Sequence, residues 1–230
     1  MSSFLQSSVF FGVFVSVFSY FLGMALQKKF KLAILNPLLI SIVITILFLF
    51  VFKVDYKDYN SGAQYISYLL TPATVSLAIP LYEQFELLKK NVVAVIAGIT
   101  SGVIASLLCV LVFALLFGFN HKEYVSFLPK SITTAIGMGV SEELDGYIAI
   151  TVAVIVLTGI LGNVLADFTF KLFRIKEPIA KGIALGTSSH AIGTSKAMEI
   201  GEAEGAMSSL SIVVAGVLTV IGASLFANII

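Results

Sequence analysis

Charge is what this sequence has least of. Of 230 side chains, 14 are Lys or Arg and 13 are Asp or Glu, 12% of the chain, against about 25% in soluble domains. These 27 charges are too few to cover a soluble fold of this size, so a soluble enzyme fits poorly. A net charge of +1 leaves no basic face to release counterions from phosphates, which excludes a nucleic-acid binder. Cysteine is nearly missing as well: Cys109 stands alone and cannot pair within the chain, which excludes a disulfide scaffold. A phosphate loop of the nucleotide-binding type and a metal-ligand cluster are both lacking, so ATP-driven transport within this chain is excluded and no cofactor or metal is expected. No catalytic constellation occurs either. Ser189 and His190 are adjacent, do not face each other on a helix and have no ordering acid nearby, so no enzyme is expected.

Apolar residues, by contrast, make up 58% of the chain. Residues 1–27, 32–52, 59–82, 91–120, 146–166 and 205–230 carry no charge. Each run is about long enough for a helix to cross a ~30 Å hydrocarbon core at 1.5 Å per residue. Backbone groups in lipid must bond within their own segment, so the runs are read as helices. The N-terminal run has no basic region before it and no hydrophilic domain after it, and reads as a retained first helix rather than a signal peptide. The expected fold is therefore all-α and polytopic, a single transmembrane domain over 1–230, with about seven transmembrane helices and one re-entrant segment.

Basic residues set the orientation. Lys28, Lys29 and Lys31, then Lys89 and Lys90, then Lys171, Arg174, Lys176 and Lys181 form three groups that the positive-inside rule puts in the cytoplasm. Helices are expected at 4–26, 33–53, 62–88, 92–119, 146–170, 181–203 and 206–229, with the N-terminus outside and the C-terminus cytoplasmic. Segment 127–141, with Pro129, Gly137 and Gly139, begins and ends outside on this count and reads as re-entrant. If it crossed, everything after it would flip. Asp167 and Lys171, four apart, read as a local ion pair. Glu199, Glu202 and Glu204 read as an outer solvated rim.

Residues 33–119 and 146–229 each hold three helices of opposite orientation, as an inverted repeat requires. A shift of 116 puts Thr71 on Thr187, Glu83 on Glu199, Glu86 on Glu202 and Leu69 on Leu185. The middle helix of each triplet is weakened, by Pro72 and Pro80 in one and by Gly186, Gly193 and a run of hydroxyls in the other. Broken helices at membrane depth line polar cavities, and their free N-terminal amides can hold an anion. The candidate substrate-binding residues are Thr71, Thr74, Thr133, Thr134, Ser188, Ser189 and His190, with Lys196 as a charge partner. Each has a plainer reading: hydroxyls pack helices, His190 bonds across helices, and Lys196 pairs with Glu199.

Three stretches carry a family resemblance. Leu70-Thr-Pro-Ala-Thr-Val-Ser-Leu-Ala-Ile-Pro-Leu-Tyr82, Pro129-Lys-Ser-Ile-Thr-Thr-Ala-Ile-Gly137 and Ala184-Leu-Gly-Thr-Ser-Ser-His-Ala-Ile-Gly193 resemble the LrgB/CidB family. Arg174-Ile-Lys-Glu-Pro-Ile-Ala-Lys-Gly182 is similar to its basic loop. The resemblance implies two functions. One is a carrier of small 2-hydroxy or 2-keto monocarboxylates such as glycolate, glycerate or pyruvate, as in the plastid relative. The other is an antiholin-like regulator of murein hydrolase export and autolysis in the cell membrane, acting with a small LrgA-type membrane partner. A homodimer stays open on either reading.

Overall fold

The computed structural model describes residues 10–30, 35–69, 72, 75–76 and 78–230. Every regular element among them is helical, as the charge-free runs require. They form two compact units, Met1–Ser76 and Leu77–Ile230.

In the first unit α1 (Phe10–Phe30) packs on α2 (Pro37–Val51) and on α3 (Tyr56–Ser67). Asn36 starts α2: its side chain accepts from the Leu38 and Leu39 amides at 2.9 and 3.3 Å, and Pro37 fills the first turn, where no donor is needed. Gly12 lets α1 approach the α3 backbone at Tyr59 and Ala63, where a Cβ would collide. Ser16 Oγ and Tyr59 OH meet at 2.7 Å in the same seam.

The second unit continues with α4 (Ala78–Glu83), α5 (Phe85–Lys90), α6 (Val92–Phe117), α7 (His121–Phe127), α8 (Thr134–Glu143), α9 (Ile148–Leu172), α10 (Pro178–Ile200) and α11 (Glu202–Phe226), closed by a 3-10 turn, Ala227–Ile229. The expected single helix over 62–88 is instead divided among α3, α4 and α5, and Pro72 and Pro80 lie in or near its breaks. Of the about seven spans expected, four helices among the described residues are long and apolar enough to cross a membrane: Phe10–Phe30, Val92–Phe117, Ile148–Leu172 and Glu202–Ile229. Their outer faces are apolar. Val213, Val217, Ile221 and Leu225 recur every four residues on α11 and are exposed, while Ser208, Ser211 and Thr219 are buried. That inside-out pattern suits lipid, not water.

α9 spans the second unit from one end to the other, and its contacts locate the rest. At its start the Tyr147 amide donates to Ser126 Oγ at 2.7 Å, and Thr151 Oγ1 donates to the Ser126 carbonyl at 2.9 Å and meets Ser141 Oγ at 2.7 Å. Both ends of segment 127–141 are thus tied to one face, the face that also holds His121 and the end of α6. Between those ends the segment dips inward. Ser131 Oγ meets Ser106 Oγ at 3.1 Å, and Ser106 lies about 16 Å along α6 from its end at 1.5 Å per residue. The last helix ends on this same face, since His121 Nδ1 lies 2.6 Å from the Ile230 carbonyl and Tyr124 OH donates to the Phe226 carbonyl at 3.1 Å. The expectation that the His121 loop and the C-terminus lie on opposite faces is therefore wrong.

The reason is α10, expected to be a span over 181–203. It reverses at His190, whose backbone has φ 43° and ψ −136°. Gly193 comes against the carbonyl of Leu185, eight residues back, which a continuous helix would hold about 12 Å away. The two arms, 178–189 and 191–200, both pack on α9 and α11. In the first arm Gly182 and Gly186 lie on Glu204 and Ser208 of α11, so the two run parallel. In the second, Thr194 Oγ1 meets Ser208 Oγ at 2.7 Å and Met198 meets Gly205, so the two run antiparallel. α10 enters and leaves at the face of Lys89, Lys90, Lys171 and Arg174. Glu199, Glu202 and Glu204 lie on this basic face, with Glu204 buried, rather than on an outer rim.

Candidate functional site

The first arm of α10 packs along α6 because α6 presents small residues at fourfold spacing. Gly98 faces Ile183, and Gly102 faces Thr187, where a Cβ would lie 2.7 Å from Thr187 Cγ2. The groove opens into a cavity of about 1020 Å³ walled by α6, the first arm of α10, Thr169 of α9 and the dipping segment. That is at the upper end of ordinary small-ligand sites, about 300–1,000 Å³. A second cavity of about 330 Å³ lies on the other side of the arm, and Lys130, Thr169, Ala184 and Ser188 line both.

Lys130 is the cation of this site. It is carried inward by the loop between α7 and α8, where Leu128, Pro129 and Ile132 are buried. Its Nζ donates to Ser131 Oγ at 3.0 Å, which continues to Ser106 Oγ. Lys130 forms no ion pair among the described residues. Glu177 lines the same cavity at its basic-face mouth, about 16 Å of helix rise from Ser188. Thr187 Oγ1, also on the cavity wall, is buried with no hydrogen-bond partner among the described residues. An orphaned hydroxyl of that kind costs about 1–3 kcal/mol. One unpaired ammonium beside the hydroxyls of Ser106 and Ser131, with Ser188 on the same walls, has the chemistry to hold a small anion.

The residues expected from sequence fall around this site unevenly. Ser188 lines both cavities and bonds Ser189 Oγ at 2.9 Å. Ser189 lines only the smaller one and is packed into the space that Gly162 leaves on α9. His190 is buried at the hairpin tip, its Nε2 donating to the Ile155 carbonyl at 3.0 Å, and lines neither cavity. Thr133 and Thr134 begin α8, just past Lys130 and Ser131, and are not on the cavity walls. Lys196 is paired with Asp167 at 3.1 Å and more loosely with Glu199 at 3.9 Å. Asp167 therefore bonds across helices to Lys196 and not, as expected, to Lys171. Thr71 and Thr74 lie outside the described residues. Lys130 was not among the expected residues. Its signal was plain: it is the one charge between Glu123 and Glu142, in a segment expected to re-enter the membrane, where ionisable groups are functional by default.

Comparison with known proteins places this geometry in a family. The sequence model of the LrgB-like family matches residues 16–229. The chain is 38% identical over 218 residues to proteins named antiholin-like protein LrgB from Bacillus cereus (strain B4264) and Bacillus anthracis (strain A0248), covering 94% of this chain and 95% of each relative. No solved structure matches it.

Proposed function

The chain belongs to the LrgB-like family, and from that membership we propose a membrane carrier for small 2-hydroxy and 2-keto monocarboxylates of the glycolate, glycerate and pyruvate class. The observation that carries this reading is Lys130, an unpaired cation beside Ser131 and Ser106 on a cavity wall. The acid class rests on the resemblance to the plastid translocator. Lys130 binds the carboxylate, Ser106 and Ser131 bond its oxygens, and Ser188 lines the site. Ser189 and His190 hold the hairpin tip against α9, and Thr133 and Thr134 begin α8 next to Lys130 and Ser131.

Two hairpins that dip from opposite faces of the second unit and meet at Lys130 and Ser188 support alternating access, since rocking one against the other exposes the site to either side. The basic face is cytoplasmic on the positive-inside rule, which puts the His121 loop and the C-terminus outside. The chain remains one transmembrane domain on this reading, with the N-terminus outside.

Cys109 makes the site testable in the unmodified protein. It is the only cysteine, is exposed, and lines the large cavity. Saturating glycolate, glycerate or pyruvate slows maleimide labelling of Cys109 in purified protein, and Lys130→Met abolishes that protection. Labelling that no monocarboxylate slows would overturn the assignment of the cavity.

A second reading is favoured by the relatives' name. On it the chain is an antiholin-like regulator of murein hydrolase export, working with an LrgA-type partner. Lys130→Met separates the two: lysis control that survives with uptake lost makes regulation a packing function of the outer surface, and joint loss makes flux its cause.

A further inference from the structure

At the cytoplasmic-facing end of the second unit, away from the anion cavity, α9 and the start of α10 enclose a separate cavity of about 600 Å³. Lys171, Arg174, Lys176 and Lys181 line it, with Asp167 as the one carboxylate. Asp167 is already paired with Lys196 at 3.1 Å, and none of the four cations forms an ion pair among the described residues. The chain is shaped to gather them. Arg174 closes α9 in a left-handed conformation, φ 55°, a conformation that a non-glycine residue adopts at a cost of about 1 kcal/mol or more. That turn brings residues 174–176 back toward Lys171 and leads directly into α10. The floor is apolar, with Phe170 buried and Ile175 partly so.

Orientation alone requires that basic residues sit on this face; it does not require that they converge on one cavity. We propose that this cavity binds a phosphate group, supplied by the headgroup of an anionic phospholipid. Four ammonium and guanidinium groups match the oxygens of a phosphodiester, and Arg174 offers the planar fork suited to two of them. The apolar floor receives the glycerol and the upper acyl carbons. Basic pockets between helices at the cytoplasmic interface have the chemistry to hold such headgroups. The proposal does not rest on the carrier reading: it concerns other residues and a different ligand.

The test uses the full chain purified in detergent, where membrane orientation plays no part. Native mass spectrometry and thermal melting are run with phosphatidylglycerol, phosphatidylcholine or glycerol 3-phosphate added. Phosphatidylglycerol is retained and raises the melting temperature, whereas phosphatidylcholine does neither. Arg174→Gln with Lys176→Gln weakens retention roughly thirtyfold, at about 1 kcal/mol per cation. Arg174→Lys with Lys176→Arg, which keeps the charge, restores most of it and controls for folding. Glycerol 3-phosphate stabilising the protein as well as the lipid does would overturn the lipid source and leave a soluble phosphate ester as the ligand. Equal retention of both lipids, or no effect of the double Gln variant, would overturn the site.

Discussion

His190 Nε2 donates to the carbonyl of Ile155 at 3.0 Å, and this bond fastens the tip of the α10 hairpin to α9. The same residue turns the chain back on itself with a positive φ. Two effects are thus stacked on one position, and substitutions separate them. His190→Ala loses the bond but keeps the strained backbone, whereas His190→Gly loses the bond and relieves the strain. The glycine variant is expected to be the more stable of the two by about 1 kcal/mol, read from thermal melting in detergent. An alanine variant as stable as the glycine one would mean that the turn is not strained.

The reversal itself has a topological consequence. Cysteines placed in a Cys109→Ala background at Lys176 and at Glu202 label from the same side of a sealed vesicle, while one at Lys122 labels from the other. Opposite labelling of positions 176 and 202 would restore α10 as a crossing helix.

Gly102 faces Thr187 so closely that a Cβ must displace it. Gly102→Val is expected to cost about 1–3 kcal/mol of stability by overpacking and to push the first arm away from α6. Uptake then falls more than the melting temperature alone accounts for, because Thr187 and Ser188 move with the arm. Ala94→Val, further along the same groove and near its mouth, leaves Thr187 in place and gives the comparison.

On the face that also holds the C-terminus Lys122 and Asp145 pair at 3.0 Å. The hydrogen bond to Asp145, then its charge, raises the Lys122 pKa above the ordinary lysine value of 10.5. A raised lysine pKa contributes stability that is fully present below the unfolded value and fades as pH rises through the folded one. The melting curves of the protein and of Lys122→Met therefore run parallel from pH 6 to 9 and converge only in strong alkali. Curves that converge below pH 9 would contradict this.

The long apolar helices were legible because lipid imposes a simple rule: α6, α9 and α11 fall within a few residues of the charge-free runs. The weak stretch at Gly186 to Gly193 is legible too, but its composition suits a break in a crossing helix as well as a reversal. What decides the direction is the backbone of His190, and a histidine carries no sequence mark for positive φ as glycine does. From that one misread residue follow the misplaced C-terminus and the misplaced Glu199–Glu202–Glu204 rim. The Asp167–Lys196 pair spans 29 positions and exists only because the second arm runs back beside α9, so local spacing pointed to Lys171 instead. Lys130 carries the same mark in the sequence as His190: each is an ionisable group in a segment expected at membrane depth, and the rule that points to His190 applies to Lys130 equally well.

Uptake into liposomes tests most directly whether Lys130 binds a small carboxylate during transport. Protein reconstituted with an LrgA-type partner, and without it, is expected to take up labelled glycolate, glycerate or pyruvate saturably. Lys130→Met lowers that uptake at least tenfold, since a charge-assisted bond is worth about 1.5–3 kcal/mol, and Lys130→Arg keeps part of it. Uptake by Lys130→Met equal to that of the unmodified protein, or no saturable uptake of any of the three acids with the partner present, would contradict it.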